Sequence, residues 1–173
     1  MDKELLELLN KDDYLFYFQD SHHFLTIFAS KNYDINDYEI TTKIQRDYLA
    51  KKLTNLSYKW TRGNILSSID LDHKIVFPKF RYREFYPKKE ISKIEKKDII
   101  ILTPTLLAVH LLLNHEDPKE LLIDLIHKQP INYNKIIKLL PDYKELMIEV
   151  GVLQSKLLKQ SPLIYRQELD TTF

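Results

Sequence analysis

The spacing of apolar residues changes along the chain, and each change marks an element. Leu5, Leu6, Leu8 and Leu9 repeat at helical intervals near the start. YLFYFQ (14–19) and HHFLTIFA (22–29) are rich in aromatic and β-branched residues, with Asp20-Ser21 between them, and predict a short hairpin. Ile44, Tyr48, Leu49 and Leu53 then recur every four or five positions, as on a helix. LSYKWTRGNILSSI (56–69) reads as a second helix weakened by Gly63, so 41–69 has the outline of a helix-turn-helix. KIVF (74–77) and KFRYREF (79–85) read as strands on either side of Pro78.

The second half is punctuated by prolines. Thr103-Pro104 predicts an N-cap and first helical position, followed by an almost wholly apolar stretch through Leu113. Asp117-Pro118 repeats the signal ahead of Leu121, Leu122, Leu125 and Ile126. NYNKIIKLL (132–140) predicts a short helix, and Pro141 opens another that Gly151 is expected to cap. VLQSKLL and PLIYRQEL then read as a terminal hairpin. The order helix, helix, helix, hairpin over 118–169 resembles a winged helix. The expectation is an α+β, mostly helical protein. A mixed lobe would span 1–97, and a helical lobe ending in a β-hairpin and a short tail would span 98–173, with 88–98 as the hinge.

Composition narrows the class. A chain of 173 residues, 44% apolar, can build a core without staples. The absence of cysteine excludes disulfides, thiolate metal sites and a cysteine nucleophile. Neither of its two glycines lies in a phosphate-cradling pattern, which excludes Walker and dinucleotide loops. No apolar run reaches the roughly 18 residues that span a bilayer. The expectation is an intracellular, cytoplasmic or nucleoid-associated protein with no membrane, cofactor or small-molecule substrate.

Charge is what points to a partner. The formal net charge is only +1, yet residues 43–97 hold fifteen Lys/Arg against six Asp/Glu. The flanks are acidic: three basic against nine acidic residues before this stretch, and eight against ten after it. Basic side chains interleaved with aromatic ones suit phosphates and bases. The residues expected to contact nucleic acid are Lys43, Arg46, Lys51, Lys52, Lys59, Trp60, Arg62, Lys79, Arg81 and Arg83.

Catalytic patterns are sparse. Asp70, Asp72 and Lys74 echo the end of a Mg²⁺-dependent nuclease arrangement, without an identifiable upstream acid. No zinc-type histidine pair or nucleophile elbow occurs. His110 and His115, five apart, do not share a helix face, and His110 reads as a hydrogen-bonded core residue. The tail RQELDTTF resembles the sliding-clamp-binding peptide of replication proteins at Leu169 and Phe173, while Arg166 and Thr172 depart from it. The sequence therefore predicts a non-catalytic, nucleic-acid-associated accessory protein of replication or transcription type. Its basic centre would meet phosphates and its C-terminal lobe a protein. An inhibitor of an acidic surface or sliding clamp is the alternative, and a Mg²⁺ nuclease the third reading.

Overall fold

A six-stranded mixed sheet organises the chain and draws strands from both sides of residue 97. The computed structural model describes residues 1–28, 41–79 and 85–160. Helix α1 (Lys3–Lys11) is capped by Asp2 and buries Leu5 and Leu9. Strands β1 (Leu15–Gln19) and β2 (His23–Ile27) form the expected hairpin. Helix α2 (Lys43–Lys52) starts in a capping box in which Thr42 and Gln45 satisfy each other's backbone N–H groups.

The predicted second helix at 56–69 is instead a β-hairpin, β3 (Tyr58–Arg62) and β4 (Ile65–Ser68), turning at Gly63-Asn64. Tyr58, Trp60 and Thr61 favour extended backbone, and pairing Trp60 with Leu66 outweighs a weak helical period. This removes the helix-turn-helix. Strand β5 (Lys74–Val76) forms as expected, and of the following strand only Lys79 and Phe85 fall within the described residues. A short helix α3 (Lys88–Ile91) leads to β6 (Ile99–Leu102), which periodicity does not reveal. Its IIIL run is buried on both faces, so it carries no alternation. Strand β6 runs parallel to both β2 and β5, giving the order β1-β2-β6-β5-β4-β3.

Two cores flank the sheet. Helices α1 and α2 bury Leu5, Leu9, Tyr48 and Leu49 against Leu25, Leu66, Ile75, Ile99 and Ile101. The opposite core packs Phe24, Ile100 and Leu102 beneath α4 (Pro104–Asn114), α5 (Lys119–Lys128), α6 (Tyr133–Leu139) and α7 (Lys144–Gln160). Leu107, Leu111 and Leu112 are inaccessible, as the apolar run around α4 predicts. Thr103 caps α4, accepting from the Leu106 N–H, whereas α5 has no side-chain cap from Asp117.

Residues 152–160, expected to begin the terminal hairpin, continue α7 instead. Gln154 is buried, bonded to both backbone groups of Ile131, and Leu153 and Leu157 pack on the core. Nor does Gly151 cap the helix. It lies inside α7, where an added Cβ would come within 2.7 Å of the Tyr133 ring. The winged-helix outline therefore fails at its first wing strand, and the second lies outside the described residues. The α+β class stands.

Candidate functional site

The sheet register sorts the basic centre onto two surfaces. Residues paired directly across a sheet share a face. Phe24, Ile100, Val76, Ile65 and Arg62 form one such row, and Lys59, Ser67 and Lys74 lie on the same side. This is the side that α4 covers over β2 and β6. Among the described residues, β3, β4 and β5 contribute nothing to the core beneath α4. Val76, Ile65 and Ser67 are half-buried there, and Lys59, Thr61, Arg62 and Lys74 are exposed. A hydroxyl bond of 3.2 Å links Thr61 to Ser67 across this face.

The other side of β3 is aromatic. Trp60 shares a row with Leu66, Ile75 and Ile99 but, at the sheet edge, keeps 40% of its surface exposed. Its ring stands 5.5 Å from that of Phe77. The Arg46 guanidinium caps the Phe77 ring at 4.7 Å and donates to the Gly63 carbonyl at 3.1 Å. Helix α2 is thereby fastened to the hairpin turn. Lys43 stands one turn before Arg46, and Lys79 two residues beyond Phe77, both exposed.

The structure thus gathers Lys43, Arg46, Lys59, Trp60, Arg62 and Lys79 around the outer strands. Lys51 and Lys52 fall at the far end of α2. Lys52 is committed elsewhere, 3.0 Å from the Asp12 carboxylate and 5.3 Å from the Tyr48 ring. Arg81, Arg83, Leu169 and Phe173 lie outside the described residues. Lys74, read in the sequence only as part of a nuclease pattern, joins Lys59 through the register. Asp72, its neighbour in that pattern, is 98% exposed and bonds Lys97 at 2.8 Å. That ammonium holds its carboxyl below the usual range. Asp98 instead accepts from the Lys74 backbone N–H at 2.8 Å.

No known family model, curated protein or solved structure matches this chain.

A second polar group lies at the opposite end of the sheet, where the β1–β2 turn meets α4. Asp20 closes that turn: its N–H donates to the His22 carbonyl, and its Oδ1 accepts from the His22 N–H at 3.1 Å. Its Oδ2 lies 2.7 Å from His110 Nε2 and 3.2 Å from His115 Nε2. His110 comes from the middle of α4, its Nδ1 2.5 Å from the Tyr86 hydroxyl and 3.2 Å from the Asn114 amide. Its ring packs on Phe24. His115 is the C-cap of α4, with extended backbone.

The five-residue spacing misleads because His115 has left the helix, so its ring can fold back toward His110. Burial pushes His110 below its ordinary value, against the pull of Asp20. Burial pushes Asp20 up, but the bonds from His110, the His22 backbone and His115 outweigh it and hold the carboxyl below its usual range. His110 is a buried, hydrogen-bonded residue, as its apolar context predicts. Its pairing with Asp20 across 90 residues has no sequence signature.

Proposed function

We propose that the chain binds single-stranded nucleic acid without cleaving it, across the open face and outer edge of β3. One observation carries the reading: four consecutive residues of an edge strand, Lys59, Trp60, Thr61 and Arg62, are all exposed. Lys59, Thr61 and Arg62 face solvent and Trp60 keeps 40% of its surface exposed, so these side chains serve the surface. Lys59, Lys74 and Arg62 supply phosphate contacts on one side, and Trp60, backed by Phe77, supplies a stacking platform on the other. A flexible strand can bend round such an edge, whereas a duplex presents its bases inward. The C-terminal lobe or tail would dock a protein partner, and the tail residues Leu169 and Phe173 lie outside the described residues.

Fluorescence anisotropy with labelled single strands at about 50 mM and about 200 mM salt tests this. The Lys59→Ala/Arg62→Ala/Lys74→Ala variant should lower the salt slope by roughly two, at about 0.7 per phosphate on a single strand. Trp60→Ala should cost about 1–3 kcal/mol of binding and leave the slope unchanged. Wild-type protein that ignores single strands at the lower salt, or binds them no better than an acidic peptide, overturns the proposal.

A further inference from the structure

We propose that Asp20, His110 and His115 form a binding site for a borderline divalent transition-metal ion of the zinc type, with one coordination position open to solvent. The site is independent of the basic edge, and neither proposal needs the other.

The three ligand atoms are spaced for such an ion. One Asp20 oxygen and two imidazole Nε2 atoms all lie within 4.8 Å of one another, with 2.7 Å and 3.2 Å separating the oxygen from the two nitrogens. A tetrahedral zinc ion with bonds of about 2.1 Å holds its ligand atoms roughly 3.4 Å apart. The two distances from the Asp20 oxygen lie within about 0.7 Å of that separation, so small side-chain adjustments would seat an ion among the three.

The ligands are also firmly placed. Asp20 is held by its turn, and its Oδ1 is already engaged by the His22 N–H, leaving Oδ2 for the cluster. The His110 side chain is 5% exposed, locked between Phe24 and Tyr86, and aims Nε2 at that oxygen. The His115 side chain is 27% exposed and Asp20 15%, so solvent reaches the cluster at these two residues. Phe18 makes a T-shaped contact with the His115 ring and helps to hold it. An ion has an entry path at Asp20 and His115 and water a fourth position, while His110 lies buried behind them.

There is an outer shell as well. An imidazole that binds metal through Nε2 carries its proton on Nδ1 and needs an acceptor there. The Tyr86 oxygen stands 2.5 Å from His110 Nδ1, and its rotatable hydroxyl can accept that proton as readily as it donates in the ion's absence. Two imidazoles and one carboxylate select zinc, cobalt, nickel or ferrous iron over magnesium or calcium, which require oxygen ligands. Such an ion would also clasp the β1–β2 turn to the end of α4.

The test is metal uptake by the full chain. Chelator-stripped protein is dialysed against limiting Zn²⁺ and its metal content measured, with Co²⁺ as a visible-absorption probe and Mg²⁺ as the control. Wild type should retain on the order of one Zn²⁺ per chain and give a Co²⁺ band of a low-symmetry site. Asp20→Asn and His115→Ala, both at the mouth of the cluster, should abolish retention. His127→Ala, on the exposed side of α5, should not affect it. Tyr86→Phe should weaken affinity about 10–100-fold, as outer-shell losses do.

Because Tyr86 is buried, NMR of unmodified protein gives an independent reading: Zn²⁺ should shift the His110 and His115 ring signals and leave His127 in place. No stoichiometric uptake, or uptake equal in wild type and His115→Ala, overturns the proposal by reducing it to scattered surface histidine binding.

Discussion

His73 shows how one side chain ties fold stability to pH. It precedes β5, where the Tyr58 hydroxyl lies 2.5 Å from its Nε2, and Asp98, Asp2 and Asp72 attract its charged form. Burial outweighs these acids and depresses the imidazole below its ordinary value of 6.5. The unfolded chain therefore takes up a proton first as pH falls. His73 contributes stability that is complete above about pH 6.5 and is lost as pH drops through the lower folded-state value. His73→Gln should flatten this dependence. Thermal unfolding at about pH 7.5 and about pH 5.5 is expected to show a larger fall in Tm for wild type than for the variant. Equal falls would mean the ring is already solvated.

Individual residues also show what sequence can carry. Thr103, the apolar positions of α4 and the buried nature of His110 are legible because each depends on neighbours within a turn or two of chain. The Asp20–His110–His115 cluster and the Lys59–Lys74 row depend on strand register and a turn meeting a distant helix, which no local period encodes.

Among the elements, helices with clear punctuation were legible and the sheet only in part. The β1–β2 hairpin could be read because its turn residues interrupt two aromatic runs. Strand β6 was hidden by burial on both faces, and the β3–β4 hairpin by a misleading helical spacing. The first half of α7 reads as a helix, but the part after Gly151 reads as a strand because that glycine looks like a stop. Its actual role is close packing: α6 approaches α7 with the Tyr133 ring against the bare Cα. Gly151→Ala would gain helix propensity but force that ring aside, so overpacking should dominate and cost about 1–3 kcal/mol. Chemical denaturation checks this. Adding Tyr133→Ala should cancel most of the Gly151→Ala penalty, since the clash then has no partner. An unchanged penalty would locate the cost in the backbone instead.

Taken whole, the molecule is one sheet with a core on each side, and its central strand arrives late in the chain. Residues 1–97 contain β1 to β5 but not β6, which joins β2 to β5. A fragment ending at residue 97 would expose the inner edges of both strands and leave Leu25 and Ile75 without Ile99 or Ile101. It should show no cooperative thermal transition by circular dichroism, while the full chain unfolds in one. A cooperative transition in the fragment would instead establish a self-sufficient N-terminal lobe.

The position of β6 also bears on how the protein comes into being. His23 pairs with Ile99, so a strand made early must wait for a residue 76 positions later in the chain before it gains that neighbour. Pairing at such sequence separation is slow, and the waiting edges are apolar and ready to join another copy. During synthesis the nascent N-terminal half would therefore persist as a hairpin and a separate three-stranded meander until Ile99–Leu102 clears the ribosome. The stretch that locks the sheet is also the one whose delay leaves it open to misassembly.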